Sequence, residues 1–262
     1  MRLAVAATAP VGADVLERLA QQHEIAFLLT RPDAPRGRGR KMEPPPAKVT
    51  ATSLGIPVVQ PERPELPGDL SVDTIVVCAY GLYIPPSLLE RALWVNVHPS
   101  LLPRWRGAAP VERAILAGDT ETGVTIHRTV AELDAGPLAA RETFAIADDD
   151  DAGTVFARAA EVAARLLGEV LPNPAFTPQP EEGATYAEKI TAADRRLDLS
   201  HPLDAFRRVR ALSPHIGAST ELAGRRVTVW KARLEEGAFV PEIVQPEGRR
   251  RMTHDEFLRG LR

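Results

Sequence analysis

Several features are scarce in this sequence, and each absence excludes a class of protein. Its 262 residues contain one cysteine, Cys78, which excludes an intramolecular disulfide and a cysteine-based metal cluster. No run approaches the roughly 20 apolar residues that a membrane-spanning helix needs. The start, MRLAVAATAP, lacks the long apolar stretch of a secretory signal. We therefore expect a cytoplasmic protein without a membrane partner.

An excess of charge of one sign is also absent. The chain has 32 basic and 35 acidic residues, for a net charge of -3. This balance excludes a globally basic nucleic-acid coat but leaves room for a local basic patch. The apolar fraction is 44%, enough for a sizeable core. The length permits one large α/β domain or two smaller domains.

Strand-like and helix-like segments alternate through residues 1–170. The predicted strands are Leu3–Ala7, Ile25–Leu29, Ile56–Val59, Thr74–Ala79, Trp94–His98, Thr122–Val130 and Pro137–Ile146. The predicted helices are Ala13–Gln22, Ala47–Leu54, Pro85–Leu93, Ala108–Ala117 and a long helix through Val155–Val170. This alternation predicts an α/β fold with a Rossmann-like open, mostly parallel sheet.

Proline is concentrated at one place in the chain. The stretch LPNPAFTPQP has four prolines in ten residues and predicts a semi-rigid extended linker. We expect this linker, 171–182, to separate a first domain, 1–170, from a second domain, 183–262. A helix over His201–Leu212 and short strands over Ala218–Leu222 and Arg225–Ala232 predict that the second domain is small and β-rich.

Polar side chains of catalytic type cluster in residues 95–137. Asn96 and His98 lie at positions i and i+2 of a predicted strand, so both side chains point to the same face. Asn offers a donor to a developing oxyanion, and His offers a proton relay near neutral pH. Asp134, in a Leu-Asp-Ala-Gly-Pro turn, is the candidate carboxylate for orienting the imidazole. Taken singly, each of these residues is more often structural than catalytic.

The wider run carries a resemblance that the single residues do not. NVHPSLLPRWRGAAP, followed by AGDTETGVTI and LDAGP, resembles the folate-dependent formyltransferases. RPDAPRGRGRKMEPPPAK, at 31–48, is similar to the tRNA-contacting loop of the members that act on methionyl-tRNA. CAYGLYIP, at 78–85, resembles a wall of the family's folate pocket, and QPEGRRRMTHDEFLRG, at 245–260, resembles the end of its C-terminal domain. The resemblance covers almost the whole chain.

The resemblance implies an activity and a set of site residues. The implied reaction transfers the formyl group of 10-formyltetrahydrofolate to the α-amine of methionyl-initiator tRNA, for translation initiation. Asn96 and protonated His98 would stabilise the tetrahedral oxyanion, while Asp134 orients and charges His98. His98 would also pass the proton to N10 of the folate, so no metal is needed. The implied folate-binding residues are Ser100, Leu101, Leu102, Pro103, Cys78, Tyr80 and Gly81.

The 31–48 segment is a local basic patch. It has six basic residues against two acidic ones, an excess of +4, and its guanidinium groups are suited to phosphate oxygens. From the residues alone, a solvated surface loop is the alternative. The resemblance implies that Arg36, Arg38, Arg40 and Lys41 bind tRNA, with Arg38 at the position of the key arginine.

The second domain is short for the family, whose C-terminal domain is a small OB-like β-barrel. After VTVWKARLEEGA the chain passes directly to FVPEIVQPEGRRRM, so roughly two strands are missing. We expect an abbreviated or partly open OB-like domain, for which the resemblance implies tRNA binding. The protein is expected to be a monomer.

Three other functions stay open at this stage. The first is a formyltransferase that acts on an amino-sugar nucleotide or another small amine, against which the 31–48 segment argues. The second is a catalytically inactive RNA-binding scaffold, against which the intact Asn96, His98 and Asp134 argue. The third is a hydrolase that releases formate from the same folate.

Overall fold

The computed structural model of the chain describes residues 1–36, 39–68 and 72–261. Its strands are β1 (Arg2–Ala7), β2 (Glu24–Leu29), β3 (Ala34–Arg36), β4 (Lys41–Glu43), β5 (Val58–Val59), β6 (Thr74–Cys78), β7 (Leu93–His98), β8 (Arg106–Gly107), β9 (Glu121–Arg128), β10 (Leu138–Ala145), β11 (Tyr186–Ala187), β12 (Ala218–Leu222), β13 (Arg225–Glu235), β14 (Ala238–Pro246) and β15 (Met252–Thr253). Its helices are α1 (Pro10–Ala20), α2 (Pro46–Ser53), α3 (Pro86–Leu89), α4 (Pro110–Ala117), α5 (Ala152–Val170), α6 (Pro202–Leu212) and α7 (His254–Arg259). In the described part of the chain, no helix has the length and apolar character that a membrane crossing requires.

The chain forms two compact units, and each of them is discontinuous in sequence. The first unit consists of Met1–Arg106, Gly123–Thr143 and Ala157–Thr185. The second unit consists of Gly107–Thr122, Phe144–Phe156 and Tyr186–Arg262. The division into domains 1–170 and 183–262, joined by a linker over 171–182, stays a prediction.

A seven-stranded sheet forms the centre of the first unit. Its strand order is β10-β9-β7-β6-β1-β2-β5. The pairs β2·β5, β1·β2, β1·β6 and β6·β7 are parallel, whereas β7·β9 is antiparallel. Every residue of β6 is buried, as expected for a central strand covered on both faces. The predicted α/β fold with an open, mostly parallel sheet is confirmed.

One predicted helix in the first unit is much shorter than expected. The pattern over Pro85–Leu93 predicts more than two turns, but α3 ends at Leu89. The indole Nε1 of Trp94 donates to the Leu88 carbonyl oxygen at 2.8 Å, which gives this oxygen a partner outside a helix. The chain has to turn at this point because β7 begins at Leu93.

The second unit contains a small antiparallel sheet in the order β12-β13-β14-β15. Within it, α6 packs against β13 and α4 packs against α6. Among the described strands, β12 and β15 lie at opposite edges and do not pair, so the sheet is open. The predicted small β domain is thus confirmed, with four strands in one sheet.

An ion pair joins α4 to the segment before α6 within the second unit. Arg113 Nη1 and Nη2 donate to the two carboxylate oxygens of Asp194 at 2.9 and 3.1 Å. Both side chains are 19% exposed. Asp194 also accepts from the backbone N–H and the hydroxyl of Thr191. The Arg113 hydrogen bonds above all, followed by those of Thr191, hold the pKa of Asp194 well below its ordinary value of 3.8.

Asp194→Asn is expected to lower the free energy of unfolding by about 2 kcal/mol near neutral pH, the order for a hydrogen bond to a charged group. Because folding lowers the pKa of Asp194, its stabilisation is complete above the ordinary value of 3.8 and is lost as the pH falls below it. Urea unfolding should therefore show a difference from wild type that shrinks towards low pH. Asp198→Asn is the matched variant: because this carboxylate is exposed, its replacement should lower the free energy of unfolding by less. A pH-independent deficit in Asp194→Asn would contradict this account.

Candidate active site

Strand β7 carries two polar side chains at its carboxyl end. Asn96 and His98 are two residues apart, so the strand period places them on one face of the sheet. Neighbouring β9 is antiparallel to β7, with His127 opposite Asn96 and Thr125 opposite His98. These positions lie where the sheet changes from parallel to antiparallel pairing. The fold therefore brings two histidines and one asparagine together in a small area.

The His98 imidazole is held between a carbonyl oxygen and a carboxylate. His98 is 4% exposed, and its Nε2 lies 2.8 Å from the Trp105 carbonyl oxygen. A carbonyl oxygen only accepts, so Nε2 carries the hydrogen. On the other side, Nδ1 lies 3.6 Å from Asp134 Oδ2. This separation is longer than a hydrogen bond, and in active sites contacts of this kind commonly tighten when a substrate binds.

Opposing influences act on the pKa of His98. Burial lowers it, because removal from water disfavours the charged imidazolium. The Asp134 carboxylate and the Trp105 carbonyl raise it, and His127 lowers it. The net result is a pKa below the ordinary value of 6.5, so His98 is neutral at rest near neutral pH. The protonated form that the resemblance implies therefore has to arise during the reaction.

The amide of Asn96 is fixed by two acceptors. His127 Nδ1 donates to the Arg128 carbonyl oxygen at 3.0 Å, so its Nε2 is free to accept. Asn96 Nδ2 lies 3.0 Å from that Nε2 and 3.2 Å from Asp134 Oδ1, which uses both amide hydrogens. One of them has to be redirected if Asn96 is to donate to an oxyanion. The sequence predicts His127 on a strand close to the crevice but favours a structural role for it; its position opposite Asn96 follows from the strand register.

The turn after β9 presents the Asp134 carboxylate. Asp134 adopts a φ of +49°, in the left-handed region that Asp and Asn tolerate better than most residues. Two residues later, a Cβ at Gly136 would collide with the Arg128 carbonyl oxygen, so only glycine fits there. This oxygen is also the acceptor for His127. The close approach thus ties the Asp134 turn to the histidine that supports Asn96.

The SLLP segment, 100–103, follows His98 after a single residue, Pro99. The Thr125 hydroxyl donates to the Ser100 carbonyl oxygen at 2.6 Å and accepts from the Leu102 N–H at 3.1 Å. Ser100, Leu102 and Pro103 are buried, and Leu101 is half-buried. A side chain of β9 therefore fixes the predicted folate-lining segment beside the imidazole. The folate contacts of these four residues stay a prediction.

Two side chains of the predicted folate-binding 78–81 segment, those of Cys78 and Tyr80, are buried. Cys78 and Tyr80 are 1% and 2% exposed. Burial raises the pKa of Cys78 to about 12 and that of Tyr80 to about 12. Gly81 is exposed and has a φ of +76°. If these three residues bind folate, as predicted, Cys78 and Tyr80 have mainly backbone groups to offer.

Three of the four predicted tRNA-binding residues, Arg36, Arg40 and Lys41, belong to a β-hairpin formed by β3 and β4. The strands pair antiparallel, with Arg36 opposite Lys41. Arg40 and Lys41 are exposed, while Arg38 lies outside the described residues. In contrast, Lys48 Nζ contacts both carboxylate oxygens of Asp33 at 2.8 and 2.9 Å. Within the described residues of 31–48, Arg40 and Lys41 thus present exposed positive charge, whereas the charge of Lys48 is paired with Asp33.

The arrangement suits proton transfer and oxyanion stabilisation. An imidazole, an amide and a carboxylate form one largely buried network in which each group contacts another. Such a set can move a proton and can donate to a developing negative charge. Within residues 1–36, 39–68 and 72–261, no three His, Cys, Asp or Glu side chains form a group that could hold a metal ion.

Solved structures share the fold. The superposition on methionyl-tRNA formyltransferase from Clostridium thermocellum covers 94% of this chain and 98% of that protein, with a TM-score of 0.66 at 14% identity. The superposition on HypX from Aquifex aeolicus, in complex with tetrahydrofolic acid, covers 98% of this chain and 46% of that protein, with a TM-score of 0.69 at 19% identity. At these identities the likeness shows the fold alone.

Sequence comparisons identify the family. Residues 1–171 match the formyl transferase family, and residues 189–240 match the formyl transferase C-terminal domain. The methionyl-tRNA formyltransferase of Cereibacter sphaeroides is 41% identical over an alignment of 291 residues, which spans 100% of this chain and 96% of that protein. The alignment is longer than this chain, so the relative has residues that this chain lacks. The similarity extends over both matched regions, and the chain belongs to the formyl transferase family, among the methionyl-tRNA formyltransferases.

Proposed function

We propose that this chain transfers the formyl group of 10-formyltetrahydrofolate to the α-amine of methionyl-initiator tRNA. The observation that supports this most directly is the placement of the His98 imidazole between the Asp134 carboxylate and the Trp105 carbonyl oxygen, beside Asn96. Similarity to methionyl-tRNA formyltransferases along the whole chain supports the choice of acceptor.

In the proposed reaction, the free amine attacks the formyl carbon and forms a tetrahedral intermediate. The bond from that carbon to N10 of the folate then breaks, and one proton moves from the amine nitrogen to N10. Asn96 donates to the oxyanion by redirecting one amide hydrogen. The products are the formylated amine and tetrahydrofolate, so atoms and charge balance without a covalent enzyme intermediate.

His98 carries the proton in this scheme. The neutral resting imidazole carries its hydrogen on Nε2, against the Trp105 carbonyl oxygen. We propose that, as substrate binds, Nδ1 takes up a proton beside Asp134 and Nε2 releases its own, so the reacting tautomer has its hydrogen on Nδ1. Nε2 then accepts the amine proton and later donates it to N10. Between these steps the imidazolium has both of its N–H groups near acceptors, the Asp134 carboxylate and the Trp105 carbonyl.

The acceptor of the formyl group distinguishes this function from the alternative functions. Purified protein would be incubated with 10-formyltetrahydrofolate and one of three acceptors: methionyl-initiator tRNA, a nucleotide-linked amino sugar, or water alone. Formylated methionyl-tRNA is the expected product. Formylation of the sugar alone, or release of formate without an amine, would replace the proposal by another enzyme. Binding of tRNA without any turnover would indicate an inactive scaffold.

The hairpin of β3 and β4 is proposed to contact tRNA phosphates. The Arg40→Ala/Lys41→Ala double variant is expected to raise the KM for methionyl-tRNA about tenfold, because about two charged phosphate contacts are lost. The dependence of tRNA affinity on salt should weaken by about two units of its logarithmic slope. The KM for the folate should stay unchanged in the same steady-state assay.

Arg165→Ala is the control for this hairpin variant. It removes another surface guanidinium, one that contacts Glu142 and Glu169. It should leave both KM values at their wild-type levels. An unchanged KM and salt slope in the double variant would refute the hairpin as a tRNA contact.

The remaining partner and location predictions accompany this proposal. The protein is proposed to act in the cytoplasm, as a monomer, without a metal ion and without a membrane partner. Gel filtration with light scattering would test the monomer, and full activity after dialysis against a chelator would test the independence from metal.

A further inference from the structure

The proline-rich segment that the sequence predicts to be a linker contacts both loops that hold His98. Gln179 Nε2 donates to the carbonyl oxygens of Asp134 and Gly136 at 3.0 and 2.9 Å. Its Oε1 accepts from Arg106 Nε at 2.8 Å. One amide side chain therefore joins the turn of the catalytic carboxylate to the residue that follows Trp105. All of these residues lie in the first unit.

The Arg106 side chain is buried and is held by an ion pair with Glu181. It is 3% exposed, and its two terminal nitrogens contact the Glu181 carboxylate at 3.2 Å each. A guanidinium buried to this extent needs acceptors, and Gln179 and Glu181 supply them. The position of Arg106 therefore depends on the 179–181 segment.

Further bonds hold the backbone that presents the Trp105 carbonyl. The Trp105 N–H donates to the Thr185 hydroxyl at 2.9 Å, and the Arg106 N–H donates to the Thr185 carbonyl at 2.8 Å. Trp105 has a φ of +64°, an uncommon conformation for a residue with a bulky side chain, so surrounding bonds have to maintain it. The same residue receives the His98 hydrogen bond.

We infer that Gln179 is a positioning residue for formyl transfer, which holds the Asp134 turn and the Trp105 loop at a fixed separation around His98. This inference rests on the proposed function. The imidazole needs an acceptor on each side when it is protonated, and the two acceptors come from loops about 30 residues apart in sequence. Gln179 bonds to both loops through its two amide ends. The segment is therefore part of the active-site framework as well as a connection.

Two substitutions of Gln179 distinguish the role of its amide N–H groups from that of its amide oxygen. Gln179→Glu keeps an oxygen for Arg106 but replaces the donor to the Asp134 and Gly136 carbonyls with an acceptor. Gln179→Met removes both functions at nearly constant length. Thr177→Val serves as the matched control, because Thr177 is exposed in the same segment and its hydroxyl donates to the Leu138 carbonyl oxygen at 3.4 Å, away from His98.

The expected result is a kcat about tenfold lower in Gln179→Glu and in Gln179→Met, with both KM values within about twofold of wild type. The ionisable groups that face His98 in the described chain are Asp134 and His127. A displaced Asp134 raises the pKa of His98 less, so the acidic limb of the kcat profile should move to lower pH in both variants. Thr177→Val should match wild type in kcat and in its pH profile.

The outcomes separate this inference from the proposed function. Wild-type protein that does not formylate methionyl-tRNA refutes the function itself. Active wild type with Gln179 variants of unchanged kcat and pH profile refutes the positioning role. A fall in kcat that follows a lower unfolding midpoint, with an unmoved acidic limb, indicates a purely structural residue and also overturns the inference.

Discussion

His98→Ala is expected to lower kcat for methionyl-tRNA formylation by about 10²- to 10⁴-fold, the range for loss of a positioned general acid–base. The residue is the proposed carrier of the proton from the attacking amine to N10. KM for either substrate should change little, because the imidazole acts on the bond-breaking step rather than on binding. Single-turnover formylation with purified protein measures the effect directly.

His201→Ala is the matched control for this substitution. His201 Nδ1 lies 3.0 Å from Asp198 Oδ2, so it is also a histidine–aspartate pair, but both side chains are exposed. Its removal should leave kcat within about twofold, since an exposed pair contributes little. If His98→Ala retained near-normal turnover while folded, the proposed role of His98 would be wrong.

The positions of Asn96 and His98 on one face could be predicted because the relationship is local. Two residues along a strand return a side chain to the same face, whatever the rest of the chain does. The mostly parallel sheet could be predicted for a similar reason, because the strand and helix periods are read within short windows and their alternation is typical of such a sheet. The ends of the helices are harder to predict, as α3 shows: where it ends, the Leu88 carbonyl oxygen accepts from the indole of Trp94, a contact that no helical period indicates.

The roles of His127 and Gln179 could not be predicted in the same way. His127 contacts Asn96 across a strand pair 31 residues apart, and Gln179 reaches the Asp134 turn across 45 residues. Such contacts depend on the register and on the path of the chain. A glutamine among prolines has no local pattern that separates a structural clamp from a spacer. The discontinuous composition of the two units could not be predicted from the sequence either, because α4 packs against α6, which is distant from it in the chain.

Asp134→Asn is expected to lower kcat by about 100-fold or more and to move the acidic limb of the pH profile to lower values. The carboxylate is the main influence that raises the pKa of His98 against burial, so its loss lowers this pKa further. It also removes the counter-charge of the imidazolium formed during the reaction. Asn is the informative replacement because it tolerates the left-handed φ of +49° at this turn and still offers an oxygen to Asn96.

Geometry and charge are therefore separated in this variant. An unchanged unfolding midpoint would show that the turn is intact, and the fall in kcat would then report the lost charge. Asp33→Asn is the control, since its carboxylate contacts Lys48 and Gln60 rather than a histidine. That control should leave the acidic limb in place. Should Asp134→Asn instead keep the wild-type kcat and limb, the carboxylate has no part in charging His98, and the proton would have to be carried by the imidazole with only the Trp105 carbonyl as its support.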